Sequence, residues 1–167
     1  MENTVSCISN QNAILFSIDI EAFESDQNII TEIGISIYDP RKNQPEDGHI
    51  IPILHNYHLI VSEFFILRNK NYVNDVKDFY LLGESQIMSL DRCSYFIQFL
   101  INFYLFPGPR EDNKWVRCLV GHGISHDLKW LTNMGIQLPN NLKDISTKHP
   151  RNISDNATYI IDTSKLH

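Results

Sequence analysis

Two carboxylates one residue apart, Asp19 and Glu21, stand at the end of an apolar run from Ala13 to Ile18. In an extended strand, side chains alternate between faces, so both acids point the same way. Like charges on one face at the end of a buried strand repel each other and lose hydration. A divalent cation relieves both costs, and hard carboxylate oxygens suit Mg²⁺ or Mn²⁺. The same residues also allow a plainer outcome, in which the strand ends at Ile18 and both acids sit in water.

Composition narrows the choice. A chain of 167 residues with 43% hydrophobic and 20% charged residues is one globular domain with a single core. Its net charge of −6 provides no general basic field, so nucleic acid would have to be met by a local patch or by bound metal. Cys7, Cys93 and Cys118 are too widely spaced for a zinc knuckle and odd in number, which suits a reducing, intracellular setting. Residues 1–12 are polar and read as a flexible N-terminal tail without a signal peptide. No apolar run approaches membrane-spanning length, so a membrane is not an expected partner.

Taken in order, the first strand covers about Ala13–Ile20, and Phe23–Asn28 reads as a turn. Ile33, Ile35 and Ile37 alternate with smaller or polar residues and predict a second strand over Ile29–Tyr38, stopped by Asp39-Pro40. A hairpin between them makes the two antiparallel neighbours. A third strand falls in His49–Leu54 or Tyr57–Val61, the second being preferred. Residues 62–85 lack periodicity and read as irregular, with a short helical turn at Val73–Phe79.

Ser89 is placed to cap a helix whose apolar face is Leu90, Cys93, Ile97, Leu100, Ile101 and Tyr104. Pro107-Gly108-Pro109 ends it, and the acidic loop EDNK follows. Trp115–Val120 is a short strand leaving through Gly121-His122-Gly123. A second helix spans about Ser125–Met134, with Gly135 at the position just past its end. Thr158–Asp162 is the last β-rich run. Three strands, helix, strand, helix, strand is an α/β pattern with a mixed sheet. Asp127 lies in the first turn of the second helix, where an acid is also favoured simply by the helix dipole.

Together these segments resemble the DEDD superfamily of 3′–5′ exonucleases, on the ribonuclease H-like fold. The likeness is carried by SIDIEAFE with Asp19 and Glu21, TEIGISIYDP, the YHLIVSE…LRN…GES run, VGHGISHDLKWL with Asp127, and the closing IDTSKL. It extends over about Ile14 to Leu166 and is strongest to a fungal branch related to a yeast mRNA-export and DEAD-box helicase factor.

The resemblance implies a mixed five-stranded sheet flanked by helices over 13–167, and an intracellular protein of nucleus or cytoplasm. It implies a two-metal Mg²⁺ or Mn²⁺ site in which Asp19 bridges or ligates the ions, Glu21 holds one metal or the attacking water, and Asp127 holds the second ion. Its implied partners are single-stranded nucleic acid, RNA ahead of DNA, and an RNA-helicase or mRNA-export protein. Members also carry a final helix with a His or Tyr four residues before a last Asp. Nothing here matches it: His167 has no Asp after it, and neither His149 nor Asp162 has the spacing. The expected domain is therefore incomplete at its C-terminus, its metal pair incomplete and its turnover impaired, with an uncovered apolar patch on the sheet. Three readings stay open: an impaired metal-dependent exonuclease, a non-catalytic module binding RNA or a helicase partner, and a structural domain with surface acids. His122, His126, Trp115, Trp130 and the Lys148–Arg151 cluster read as structural or solvated.

Overall fold

The computed structural model describes residues 13–43, 52–72, 75–107, 115–146 and 158–166. Strands β1 (Ala13–Phe23), β2 (Asp26–Tyr38), β3 (Leu54–Val61) and β4 (Ser85–Met88) are followed by helix α1 (Leu90–Tyr104). Strand β5 (Val116–Gly121), helix α2 (Ser125–Asn133), strand β6 (Lys143–Asp144) and strand β7 (Thr158–Asp162) complete the order. The expected α/β architecture holds, but the sheet has seven strands rather than five, in the order β4-β3-β2-β1-β5-β7-β6. Pairing is antiparallel from β1 to β2 to β3 and parallel elsewhere.

The two strands missed in the sequence are the sheet's edges. Strand β4 is four largely exposed residues and β6 is two, so neither shows apolar alternation, and each is defined by its backbone pairing with β3 or β7. The first hairpin is also longer than expected. β1 and β2 run on to Phe23 and from Asp26, leaving only Glu24 and Ser25 as the turn. The helical turn expected at 73–79 is instead a tight turn closed by Phe79 N–H to Val76 C=O at 2.9 Å, with 73–74 outside the described residues. The tail, His49, the EDNK loop, the Lys148–Arg151 cluster and His167 also lie outside them.

Period-2 alternation puts Ile14, Phe16, Ile18 and Ile20 of β1 beside Ile33, Ile35 and Ile37 of β2 on one face. Both helices pack there, α1 through Cys93, Ile97 and Ile101 and α2 through Leu131. On the other face Cys118, Tyr159 and Ile161 form a smaller buried cluster with Ile145. Among the described residues the exposed large apolar side chains lie mainly in 65–87, Ile87 of β4 among them, and along α1 at Tyr95, Phe99 and Phe103, with Leu54 of β3 also exposed.

Helix ends are as the sequence indicates. Gly135 adopts φ +75° just past α2, and its N–H reaches Thr132 C=O while Ile136 N–H reaches Leu131 C=O. Ser89 Oγ accepts from Arg92 N–H, and the Glu63 carboxylate accepts from Leu90 N–H, so two first-turn amides of α1 are satisfied. Ser89→Ala is expected to cost about 1 kcal/mol and to lower the thermal midpoint by roughly 2–4 °C. A melt unchanged within 1 °C would show that Glu63 alone carries the cap.

Candidate functional site

β5 pairs with β1 only from Ala13/Val116 to Ser17/Val120. β1 then continues alone on that side, carrying Asp19 to Glu21 past the C-terminal end of β5, the crevice where parallel sheets place their sites. The chain leaves β5 through a turn that admits no side chain at Gly121, where a Cβ would lie 2.9 Å from Ile124 Cγ1. It enters α2 directly, and the first turn delivers Asp127 to the exposed edge of β1. Asp127 Oδ1 accepts the Ile20 N–H at 2.9 Å, satisfying an amide that β5 no longer reaches. The helix acid is thereby fixed to the peptide unit between Asp19 and Glu21. Register shifts at Glu21/Ala22 and Ala22/Phe23 re-aim the strand immediately beyond the pair.

The three acids feel one another. Asp127 is buried at 5% exposure, Glu21 is half-buried and Asp19 faces solvent. Burial pushes the Asp127 carboxyl up to about 6, with Asp19 repulsion adding to it against the bond from Ile20 N–H. Glu21 is raised by burial and then by Asp19, Glu32 and Asp127. The donors are all carboxylate oxygens, two of them raised by burial and then by neighbouring charge, which fits a hard divalent cation in chemistry. Among the described residues, however, no three His, Cys, Asp or Glu side chains converge into a ready cation cage.

Residues the sequence reading did not single out complete the surroundings. Cross-strand register sets Glu32 opposite Glu21, and Gly34 opposite both Asp19 and His58. With no side chain at Gly34, a notch lies open between Asp19 and His58. His58 Nε2 lies 3.2 Å from Glu32 Oε2, its Nδ1 lies 2.8 Å from Ser85 Oγ, and its ring stacks on Tyr80 at 4.9 Å. Asp19, Glu21, Glu32, Gly34 and His58 line an open cleft of about 510 Å³ together with Tyr80 and the apolar side chains of Val76, Phe79, Leu81 and Leu82. The strands supply its acids and residues 76–82 its apolar wall. Glu32 was legible only as part of a strand motif, because its proximity to Glu21 depends on register. The apolar wall lies in a stretch without periodicity and gave no signal.

The loop leading to that wall is tied to the end of β1. Glu24 accepts from the N–H groups of Lys70, Asn71 and Tyr72, and Asn69 both accepts from Glu24 N–H and donates to Ala22 C=O. Other residues weighed in the sequence have local work. Asp162 accepts from Ser164 Oγ, Gly123 N–H and Ser164 N–H, and these bonds hold its carboxyl down to about 2. His122 bonds Thr163 Oγ1, His126 lies 6.2 Å from the Trp130 ring, and Trp130 Nε1–H donates to Gln27 C=O. Among the described residues no helix is long and apolar enough to cross a membrane.

Comparison with known proteins matches residues 14–167 to the family described as DNA polymerase III subunit epsilon-like, C-terminal domain (DEDDh_C). The whole chain is 46% identical to Good for full DBP5 activity protein 2 of Saccharomyces cerevisiae, of which it spans 30%. Over 81% of its length it is 49% identical to Uncharacterized protein YDR514C of the same yeast, spanning 28% of it. An uncharacterized nucleolar protein of Schizosaccharomyces pombe, C2C4.08, is 31% identical over 87% of the chain, which spans 50% of that protein. The chain thus covers half or less of the length of each of these relatives.

Proposed function

The chain belongs to the DNA polymerase III subunit epsilon-like (DEDDh_C) family, an exonuclease-type domain family, and from that premise we propose that it binds single-stranded nucleic acid, RNA ahead of DNA, through a divalent cation and hydrolyses it slowly from the 3′ end. The observation that carries this reading is the bond from Ile20 N–H to Asp127 Oδ1, which fixes the helix acid between Asp19 and Glu21. Mg²⁺ or Mn²⁺, held by Asp19, Glu21 and Asp127, would offset the mutual repulsion of these acids and polarise the scissile phosphodiester. Asp127 is held in place by its backbone bond, and Glu21 is set by the pairing of β1 with β2. Asp19 is the solvent-facing member, at which the cation would meet substrate phosphate. The apolar wall of Val76, Phe79, Leu81 and Leu82 suits the base of the same nucleotide. Turnover by this domain is proposed to be low because, among the described residues, these acids do not converge into a ready cation cage.

A second reading, a non-catalytic module that binds RNA or a helicase partner, is favoured by the absence of a closed three-acid cage among the described residues. The name of the first yeast relative ties that protein to full DBP5 activity, which is the basis for proposing such a partner here. Fluorescence-polarisation binding of single-stranded RNA with and without Mn²⁺, followed by gel analysis of the 5′-labelled strand, separates the readings. Cation-dependent binding with a slow 3′-end ladder supports hydrolysis. Binding without a ladder supports the module. No binding under either condition overturns both.

A further inference from the structure

The apolar wall of the cleft is not held by apolar packing. Val76, Phe79 and Leu82 are 64%, 71% and 65% exposed, so residues 75–82 need another attachment to lie beside acidic strands. Lys77 is that attachment. In the middle of this stretch, its side chain is only 2% exposed. Its ammonium donates to Leu67 C=O at 2.8 Å and lies 3.9 Å from Glu32 Oε1. A cavity of about 30 Å³, one water in size, lies among Lys77, Glu32, Glu21, Thr31 and Asn69. On the outer side Arg68 pairs with Asp75 and Asp78.

Two electrostatic problems meet at this point. A buried ammonium is costly unless a carboxylate faces it. Glutamates directly opposed across antiparallel strands are destabilising, and Glu21 and Glu32 are so placed. Glu32 answers both, since it shares its charge with Lys77 on one oxygen and lies against His58 on the other.

We infer that Lys77 is a positioning residue, which clamps the 75–82 wall onto β2 and serves as the built-in counter-cation of Glu32, the carboxylate opposite Glu21, thereby setting the cation affinity of the neighbouring acids. The clamp stands on the contacts alone, while the counter-cation role rests on the proposed metal reading.

The test compares the full chain with Lys77→Met, Lys77→Arg and the double variant Glu32→Gln/Lys77→Met. Mn²⁺ binding is measured by calorimetry, and amide exchange is followed at Lys77 and Phe79, whose N–H groups are bonded within the stretch. Lys77→Met removes a positive charge beside the acids, so Mn²⁺ is expected to bind roughly tenfold more tightly. Exchange at the two amides is expected to rise by about tenfold or more as the wall is released. Lys77→Arg should keep both near the parent. The double variant removes one charge of each sign and should return Mn²⁺ affinity to within about threefold of the parent. A merely structural lysine would loosen the stretch without tightening Mn²⁺ binding, and that result overturns the counter-cation role. Exchange unchanged in Lys77→Met overturns the clamp. If the parent binds no Mn²⁺, the metal reading of the site falls, and exchange alone decides the clamp. Should Lys77→Met fail to fold, Lys77→Gln, which removes the charge but keeps an N–H donor for Leu67 C=O, takes its place, with the same tightening of Mn²⁺ binding expected and the same overturning result.

Discussion

Asp19→Asn is expected to slow 3′-end shortening of a 5′-labelled single-stranded RNA in Mn²⁺ by on the order of 10²–10³-fold, the loss usual for one preorganised group that stabilises developing charge. The thermal midpoint without added cation should stay the same or rise slightly. Asp19 faces solvent, so no core contact is lost, and removing its charge relieves Glu21 and Asp127, both of which its repulsion raises. This combination is diagnostic, because a structural acid would lose stability and leave the rate alone. The parent rate is itself low, so a Mn²⁺-dependent thermal shift supplies the second readout. The parent midpoint should rise with Mn²⁺, and that of Asp19→Asn should rise much less. Equal rates and equal cation-induced shifts in the two proteins would remove Asp19 from the site.

The part of this arrangement legible in the sequence is the part written in local periodicity. Alternation from Ala13 to Ile20 and from Ile33 to Ile37, the Ser89 cap and Gly135 each determine their element within a few residues. They placed β1, β2, α1 and α2 without tertiary information. Asp127 could be suspected from the turn at Gly121 and from family likeness. Its bond to Ile20 N–H could not, since it spans 107 residues and depends on where β5 stops pairing. Glu32 and His58 enter the cleft through cross-strand register, a property of two hairpins together rather than of either strand. Lys77 lies in an aperiodic stretch where a lysine is ordinarily solvated. The edge strands β4 and β6 escaped for a related reason. They are stabilised by backbone pairing at the margins, where side-chain burial leaves no pattern to read.

The stability of the cation-free protein is expected to fall as pH rises from about 4 to 6, and Asp127→Asn should flatten most of that decline. The folded-state value for Asp127 is raised to about 6 from an unfolded reference of 3.8. A carboxyl raised on folding binds protons more tightly in the native state. Its contribution is therefore fully present below the unfolded value and is lost as pH climbs through the folded one. The displacement corresponds to at most about 3 kcal/mol, since each unit is worth about 1.4 kcal/mol. Glu21 is raised in the same direction and leaves a residual slope in the variant. Asp162 works in the opposite sense. Lowered to about 2, it supports the fold above its unfolded value and withdraws that support only as pH falls from about 4 toward 2. The two limbs are separated in pH, so a melt series from pH 2 to 7 resolves them, with greatest stability near pH 4. Asparagine retains a carbonyl oxygen to accept the Ile20 N–H, so the variant removes the charge while keeping the bond. Saturating Mn²⁺ should flatten the upper limb in the parent as well, because a cation that binds the ionised acids favours the state that high pH produces. A decline equally steep in Asp127→Asn would place the burdened carboxylate elsewhere. A parent limb insensitive to Mn²⁺ would mean that the repulsion among these acids is a cost of the fold that no cation relieves.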